Sequence, residues 1–468
     1  MDKQAIVRRR WVVVAGAAVL ALAIISRLAL PALRPLHHDE GVNYWFAQRI
    51  SESGQFRYDP NNYHGPLYFF AVFFSFLAFG VSELSLRLPA MISGIALVAI
   101  PLVWWRREPR FALPAAVALL LSPSMTYYSR YSIHESSLVL FSLAAVMLTV
   151  TLLQRRDLAF LPMLAAAVAL LVTTKETAVI VLAVMGLICI VHWRRGLAAL
   201  RQPHKWEYLA LASALLVLVY VSLFSSFFRY LPGLADSLQG FAPWLSRGFE
   251  GAGHNKPWTY YLLLISRFEL PLLLWAAVGL RYAWREVAGR SIALWAIFAL
   301  VVYSAIDYKT PWLVINLVAP LALLGAWGFA HVKSRALRYG GGVASIAFLA
   351  VFAVQFSWLQ SWQVGNPYAY EHTDRSVVTA AQALTRILPR ARVLVWADEY
   401  WPMPFYLRQH QVEYWSIKQP LPPLARYDFI IAAAKGDAWK SLPPAAPRQP
   451  FLLRPGVFLL LTDVRGQQ

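Results

Sequence analysis

The sequence predicts an all-α polytopic membrane domain followed by a small extracytoplasmic α/β domain, and three observations carry that prediction. Of 468 residues, 59% are hydrophobic and only 14% charged, with a mean hydropathy of +0.49; soluble chains are nearer half apolar and a quarter charged. Eleven apolar runs of roughly spanning length succeed one another as far as residue 360. After Leu359 the character changes to Pro-rich turns and short apolar segments with no further spanning run.

The runs lie near 11–31, 84–104, 111–128, 136–153, 158–173, 177–193, 208–228, 259–281, 291–307, 310–332 and 340–360. Several fall a little short of the usual ~20 residues, which tilt or local thinning accommodates. The first follows MDKQAIVRRR and is too long for a secretory h-region, so it reads as a retained helix with a cytoplasmic N-terminus. One further segment, GPLYFFAVFFSFLAFG at 65–80, is also short. Counting it as a span or not inverts everything downstream.

The basic clusters decide. If 65–80 stays out, every second connection is basic: RRR (8–10), WWRREPR (104–110), QRRD (154–157), HWRR through HK (192–205), RYAWREVAGR (281–290) and HVKSRALR (331–338). Short cytoplasmic loops are enriched in Lys and Arg in this way. The net charge of +19 is therefore a membrane-topology signal, and no nucleic-acid partner is expected. The 19 Trp and 22 Tyr suit a long lipid–water boundary. Residues 1–362 form the membrane domain on this reading, with 32–83 an outer-face loop carrying interfacial helices. The sole cysteine, Cys189, lies in the apolar GLICIV and excludes an intrachain disulfide.

Residues 363–468 form the second domain. RVLVWA (392–397), YDFIIAAA (427–434) and GVFLLLTD (456–463) read as buried strands, and DRSVVTAAQALTRIL (374–388) as a helix. An odd number of spans from an inside start puts this domain outside the cell membrane. No internal repeat is visible.

The remaining connections then gather on the outer face, and most mix charge with Tyr or Trp. HHDE (37–40) offers the acids Asp39 and Glu40; Asp39 also suits the start of a helix GVNYWFAQRIS ended by Gly54. YHGPL holds His64, YYSRYSIHES holds Arg130, His134 and Glu135, and TTKE holds Lys175. HNKPW and DYKTPW bring Lys256, Lys309 and Trp312, with Pro311 suited to a helix start. Any one of these would pass as an interfacial anchor or a neutralised pair. Together, cations able to hold a lipid phosphate and one carboxylate base are what sugar transfer from a lipid-phosphate donor requires. Two adjacent histidines are a weak metal signature, and neither a metal nor another cofactor is expected.

The order of these motifs resembles the GT-C membrane glycosyltransferases, including the protein O-mannosyltransferases and the lipid A aminoarabinose transferase. The branch described as flippase-activity-associated proteins is most similar, through DE, YDP…YHGP, SELSLRLPAMISG (82–94), SRY…E, TKE, YKTPW and YWPMPFYLR (400–408). The resemblance implies a GT-C fold and a polyprenyl-phosphate-linked sugar as donor. It implies a glycan, lipid or protein acceptor in or at the membrane. Asp39 would be the acceptor-activating base with Glu40 beside it. Arg130, Lys175 and Lys309 would bind the donor phosphate, as would His64 where relatives carry other residues; His134, Glu135, Lys256 and Trp312 would support the acceptor. Oligosaccharyltransferase relatives use a metal, whereas monophosphate-using relatives generally do not, so none is implied. The competing classes are a lipid-linked-sugar flippase, favoured by Arg267 and Glu269 within a span, and a non-catalytic scaffold.

Overall fold

The computed structural model describes residues 3–62, 64–250, 253–435, 440, 442 and 446–465. Chain contacts divide it into two compact units. One comprises residues up to Pro31 together with Arg49–Leu359; the other comprises Ala32–Gln48 together with residues from Gln360 onward.

The first unit is helical. Among the described residues seven helices are long and apolar enough to cross a membrane: Arg10–Leu28, Glu83–Trp104, Glu135–Arg155, Lys205–Phe224, Val287–Ala305, Pro311–His331 and Arg335–Leu359. Two bent pairs raise the number to nine if each is one span: Ala178–Val191 with Trp193–Ala199, and Tyr260–Phe268 with Leu270–Ala283. Three shorter apolar helices remain, Pro66–Phe79, Pro109–Leu121 and Leu158–Val172. The expected eleven needs the last two of these as crossings. Length alone does not separate them from Pro66–Phe79, whose 14 residues reach roughly 21 Å at 1.5 Å per residue. Only the loop charges make that distinction.

Sequence chemistry explains the breaks. Pro123 follows the helix Pro109–Leu121, and the carbonyls left over at Leu119 and Leu120 accept from the buried Arg27 guanidinium at 3.2 and 3.1 Å. Glu83–Trp104 starts with a capping box in which Ser82 and Ser85 bond reciprocally. The helices Glu135–Arg155 and Pro311–His331 are buried along most of their length and form the centre of this unit.

The bend between Phe268 and Leu270 turns by 104°, and its Glu269 is fully buried. That carboxylate accepts from Ser122 Oγ at 2.7 Å, from the Ser124 N–H at 2.9 Å and from Ser124 Oγ. The acid that suggested a transport path thus ties a broken helix to the Ser-Pro-Ser turn.

The second unit carries a five-stranded sheet in the order β2-β1-β3-β5-β4. Its strands are β1 (Arg392–Trp396), β2 (Gln411–Trp415), β3 (Phe429–Ala433), β4 (Arg448–Arg454) and β5 (Val457–Asp463). β1 pairs in parallel with β2 and β3, while β5 runs antiparallel to β3 and β4. The helix Arg375–Ile387, capped by Asp374, buries Val377, Ala381 and Leu384 against Val393, Val395 and Ile431. The three sequence-predicted strands and this helix are present. The two edge strands escape the sequence pattern. QVEYW buries no residue fully, and RQPFLLR contains Pro450, which a sheet tolerates only at an edge.

Candidate active site

Each unit brings some of the polar motifs together. In the second, the helix His38–Ser53 starts one residue before Asp39. The cap therefore differs from the sequence expectation. His37 occupies the cap position, its Nδ1 accepting from the Asp39 N–H at 3.1 Å, while Glu40 reaches back to accept from the His37 N–H at 3.0 Å. Glu40 is fully buried in that role. Asp39, relieved of capping, leaves 40% of its side chain exposed. The pair of acids is divided between architecture and availability.

This helix start is fastened to the late YWPMPFYLR motif. Gly41 lies so close to the 401–402 segment that a β-carbon would meet Pro402 Cβ at 2.7 Å. The Tyr406 hydroxyl accepts from the Leu36 N–H at 2.7 Å. Tyr44 meets Phe405 edge-on at 5.2 Å, and His38 faces Trp401 at 6.0 Å. Burial lowers His38 below its ordinary value, Arg454 adding to that effect and Asp39, Glu371 and Glu399 opposing it.

In the first unit, the YHGPL and TTKE turns are zipped together. Gly65 N–H donates to Thr174 O at 3.2 Å and Leu67 N–H to Thr173 O at 3.0 Å, with a bridge between His64 and Lys175. No side chain fits at Gly65, where a β-carbon would lie 2.1 Å from Thr173 O. Tyr63 of the YHGPL turn lies outside the described residues. Lys175 forms a buried ion pair with Glu135, and His64 Nδ1 lies 3.4 Å from Glu176 Oε2. Burial alone would lower the Lys175 ammonium, but Glu135 and Glu176 outweigh it and hold the group above its ordinary value. His134 sits among His64, Tyr68 and Phe69, with ring centroids 4.6–4.9 Å away. Its imidazole is held well below the usual range by burial, with His64 and Lys175 acting in the same direction.

The two Lys-Pro-Trp motifs also meet. Asn255 and Tyr308 form a bridge, and Lys309 N–H donates to His254 O at 3.1 Å. Lys309, buried, donates from Nζ to Lys256 O at 3.2 Å and to Ile306 O. Burial lowers its ammonium below the ordinary lysine value, against the opposing pull of Asp307. Lys256 and Trp312 are half-buried. Tyr308 contributes to the field at Lys175, so this hairpin adjoins the TTKE turn.

Arg130 is engaged by the first helix. Its guanidinium donates to Ser26 O at 2.7 Å and Leu30 O at 3.2 Å and covers the Trp358 ring at 4.8 Å. These contacts secure the end of the first helix. Among the described residues no three His, Cys, Asp or Glu side chains gather in a metal-holding arrangement. Sequence reasoning misses Glu176 as a partner for His64, and His372 and Tyr370 as neighbours of His37. Glu176 is adjacent to a singled-out lysine, whereas nothing in the sequence marks residues 370–372.

Residues 63–224 match the family model for dolichyl-phosphate-mannose-protein mannosyltransferases. Undecaprenyl phosphate-α-4-amino-4-deoxy-L-arabinose arabinosyl transferase 2 of Pseudomonas fluorescens is 31% identical over 148 residues, covering 30% of this chain and 26% of its own. The arabinosyl transferase of Pseudomonas aeruginosa is 31% identical over 126 residues, covering 24% and 22%. The matched segments thus span about a quarter of these relatives' length. ArnT from Cupriavidus metallidurans, bound to undecaprenyl phosphate, superposes with a TM-score of 0.69 at 16% identity, covering 97% of this chain and 98% of that one. The mycobacterial arabinofuranosyltransferase AftD gives 0.51 at 14% identity, covering 97% and 41%. The chain therefore shares the fold of this ArnT structure over nearly its whole length.

Proposed function

We propose that this multi-span membrane protein is a glycosyltransferase that moves a sugar from a polyprenyl-phosphate-linked donor to an acceptor at the outer face of the membrane, with inversion. One observation carries the reading: of the two adjacent acids, Glu40 is consumed as a helix cap and Asp39 alone is left exposed. A single available carboxylate in a first helical turn suits a base that takes a proton from an acceptor hydroxyl. The departing lipid phosphate already has a low pKa, so the remaining demand is positive charge on its oxygens. His64, with 28% of its side chain exposed, and the half-buried Lys256 answer that demand. Lys175, Arg130 and Lys309 add positive charge in supporting roles, each built into a buried pair or carbonyl contacts. His134, Glu135 and Trp312 support these groups. The names of the relatives favour a polyprenyl monophosphate donor, and the acceptor is a glycan, lipid or protein at the same face.

The experiment uses purified protein in liposomes with undecaprenyl-phosphate-linked 4-amino-4-deoxy-L-arabinose as the probe donor and a membrane lipid extract as acceptor. Asp39→Asn is expected to lose transfer while still binding undecaprenyl phosphate; full transfer by that variant removes Asp39 from the mechanism. Sidedness is tested in parallel on the inner membrane of a bacterial host, with Cys189 replaced. A cysteine introduced at Arg107 is expected to resist an impermeant maleimide that labels one at Lys418. Labelling at 107 from outside would invert the topology and end the reading.

A further inference from the structure

We propose that His37 and His372 are positioning residues that set the Asp39 carboxylate through a reciprocal clasp between two segments of the second unit. The inference rests on Asp39 being the base, and deepens that assignment. The two rings stack with centroids 5.7 Å apart and planes 22° from parallel. His37 Nε2 lies 3.1 Å from Tyr370 O, and His372 Nε2 lies 3.1 Å from Pro35 O. A carbonyl only accepts, so both Nε2 atoms carry hydrogen. Each histidine thus donates to the backbone of the segment that bears the other, across more than three hundred residues of sequence.

The clasp reaches Asp39 through the other nitrogen. His37 Nδ1 accepts from the Asp39 N–H at 3.1 Å and must therefore be unprotonated, fixing one neutral tautomer. Asp39 Oδ2 is 3.9 Å from the same atom. His37 also gives its own N–H to Glu40. One residue consequently sets the peptide of the base through its ring and anchors the Glu40 cap through its backbone. The residue between the two strap contacts, Glu371, has φ of 45°, a conformation that non-glycine residues adopt only where the surroundings over-determine it.

Protonating His37 would remove the acceptor for Asp39 and set a cation against the second imidazole. The groups facing His37 are Asp39, Glu40 and His38 on its own segment and His372 from the strap. Burial is the largest influence on it and lowers its pKa; Asp39 and Glu40 oppose, and His38 assists. Because the folded His37 titrates below the ordinary histidine value, the clasp is intact at neutral pH and weakens only as pH falls through that lowered value.

The test compares His37→Ala, His37→Asn, His372→Gln and Asp39→Asn in full-length protein in liposomes, using the same probe donor. His37→Ala is expected to lower kcat by about 10- to 100-fold with donor KM nearly unchanged, and to shift the acid limb of the pH profile. His37→Asn keeps an acceptor at the Nδ1 position and is expected to recover most of the rate, which a generic loss of packing would not allow. In the Asp39→Asn background, His37→Ala is expected to add no further loss. An additive loss, or wild-type kcat in His37→Ala, overturns the clasp. Hydrogen exchange of residues 38–43 gives a readout free of substrate. Faster exchange is expected in His37→Ala and His372→Gln, and unchanged exchange overturns the proposal. Full turnover by Asp39→Asn would sink the base assignment instead, leaving the clasp to stand or fall on exchange.

Discussion

Lys175 and Glu135 close a buried ion pair across a turn and a helix start that lie 40 residues apart. Lys175 is 8% exposed and Glu135 2%, so neither charge has water to fall back on. Removing one partner of such a pair costs about 3–5 kcal/mol, chiefly through the charge left behind. Glu135→Gln is therefore expected to lower the thermal midpoint in detergent markedly, with Glu176 softening the loss. Lys175→Met combined with Glu135→Leu is expected to regain most of the stability. If the double variant is as damaged as the sum of the singles, the pair is not the unit that holds this turn.

Gly65 offers a steric test of the same turn. A methyl group there would collide with the Thr173 carbonyl, which is backbone and cannot rotate away. Gly65→Ala is expected to part the two turns, displacing His64 from Glu176 and reducing probe-donor transfer by about 10-fold or more. At Gly186, in the helix Ala178–Val191, a β-carbon would meet nothing within 4 Å, so Gly186→Ala should leave transfer unchanged. Equal activity of the two variants would show that the close approach at Gly65 is dispensable.

What the sequence disclosed follows a physical division. Apolar runs and their basic loops are local signals, and the helices occur where those signals lie. The strands β1, β3 and β5 were legible because each is an apolar run. β2 and β4 were not, since an edge strand buries one face and its alternation is faint. The site motifs were legible as singles but not in their pairing. That His64 meets Glu176, that Lys309 grips the carbonyl of Lys256, and that Leu36 is held by Tyr406 are contacts across tens to hundreds of residues. The division of labour between Asp39 and Glu40 rests on a two-residue shift of the helix cap, from Asp39 to His37, which is finer than composition resolves.

That division is itself testable. Glu40 accepts the buried His37 N–H, so Glu40→Gln is expected to cost about 1–2 kcal/mol of stability and to lower turnover only as far as the helix start loosens. Asp39→Asn is expected to leave the melting temperature nearly unchanged and to reduce turnover by about 100-fold or more, the scale of general-base catalysis. Melting curves and probe-donor turnover for both variants decide it. A thermally fragile Asp39→Asn with a robust Glu40→Gln would reverse the roles.

The last expectation concerns acid. His134 is buried beside Lys175 and His64, and its imidazole is held well below 6.5. Its neutral form is the native one. In the unfolded chain the same ring takes up a proton near pH 6.5, so unfolding binds a proton wherever pH lies between the two values. Stability consequently falls as pH drops through 6.5, by up to about 1.4 kcal/mol per pH unit for each such group. His37, lowered by burial in the second unit, contributes in the same sense. The thermal midpoint in detergent is expected to decline between pH 7.5 and 5.5. His134 Nε2 has no hydrogen-bond partner among the described residues, and its neighbours Tyr68 and Phe69 are aromatic. His134→Phe should therefore fold, and should flatten the decline by one group's share because phenylalanine has no proton to gain. An unchanged slope would mean that His134 is protonated alike in both states.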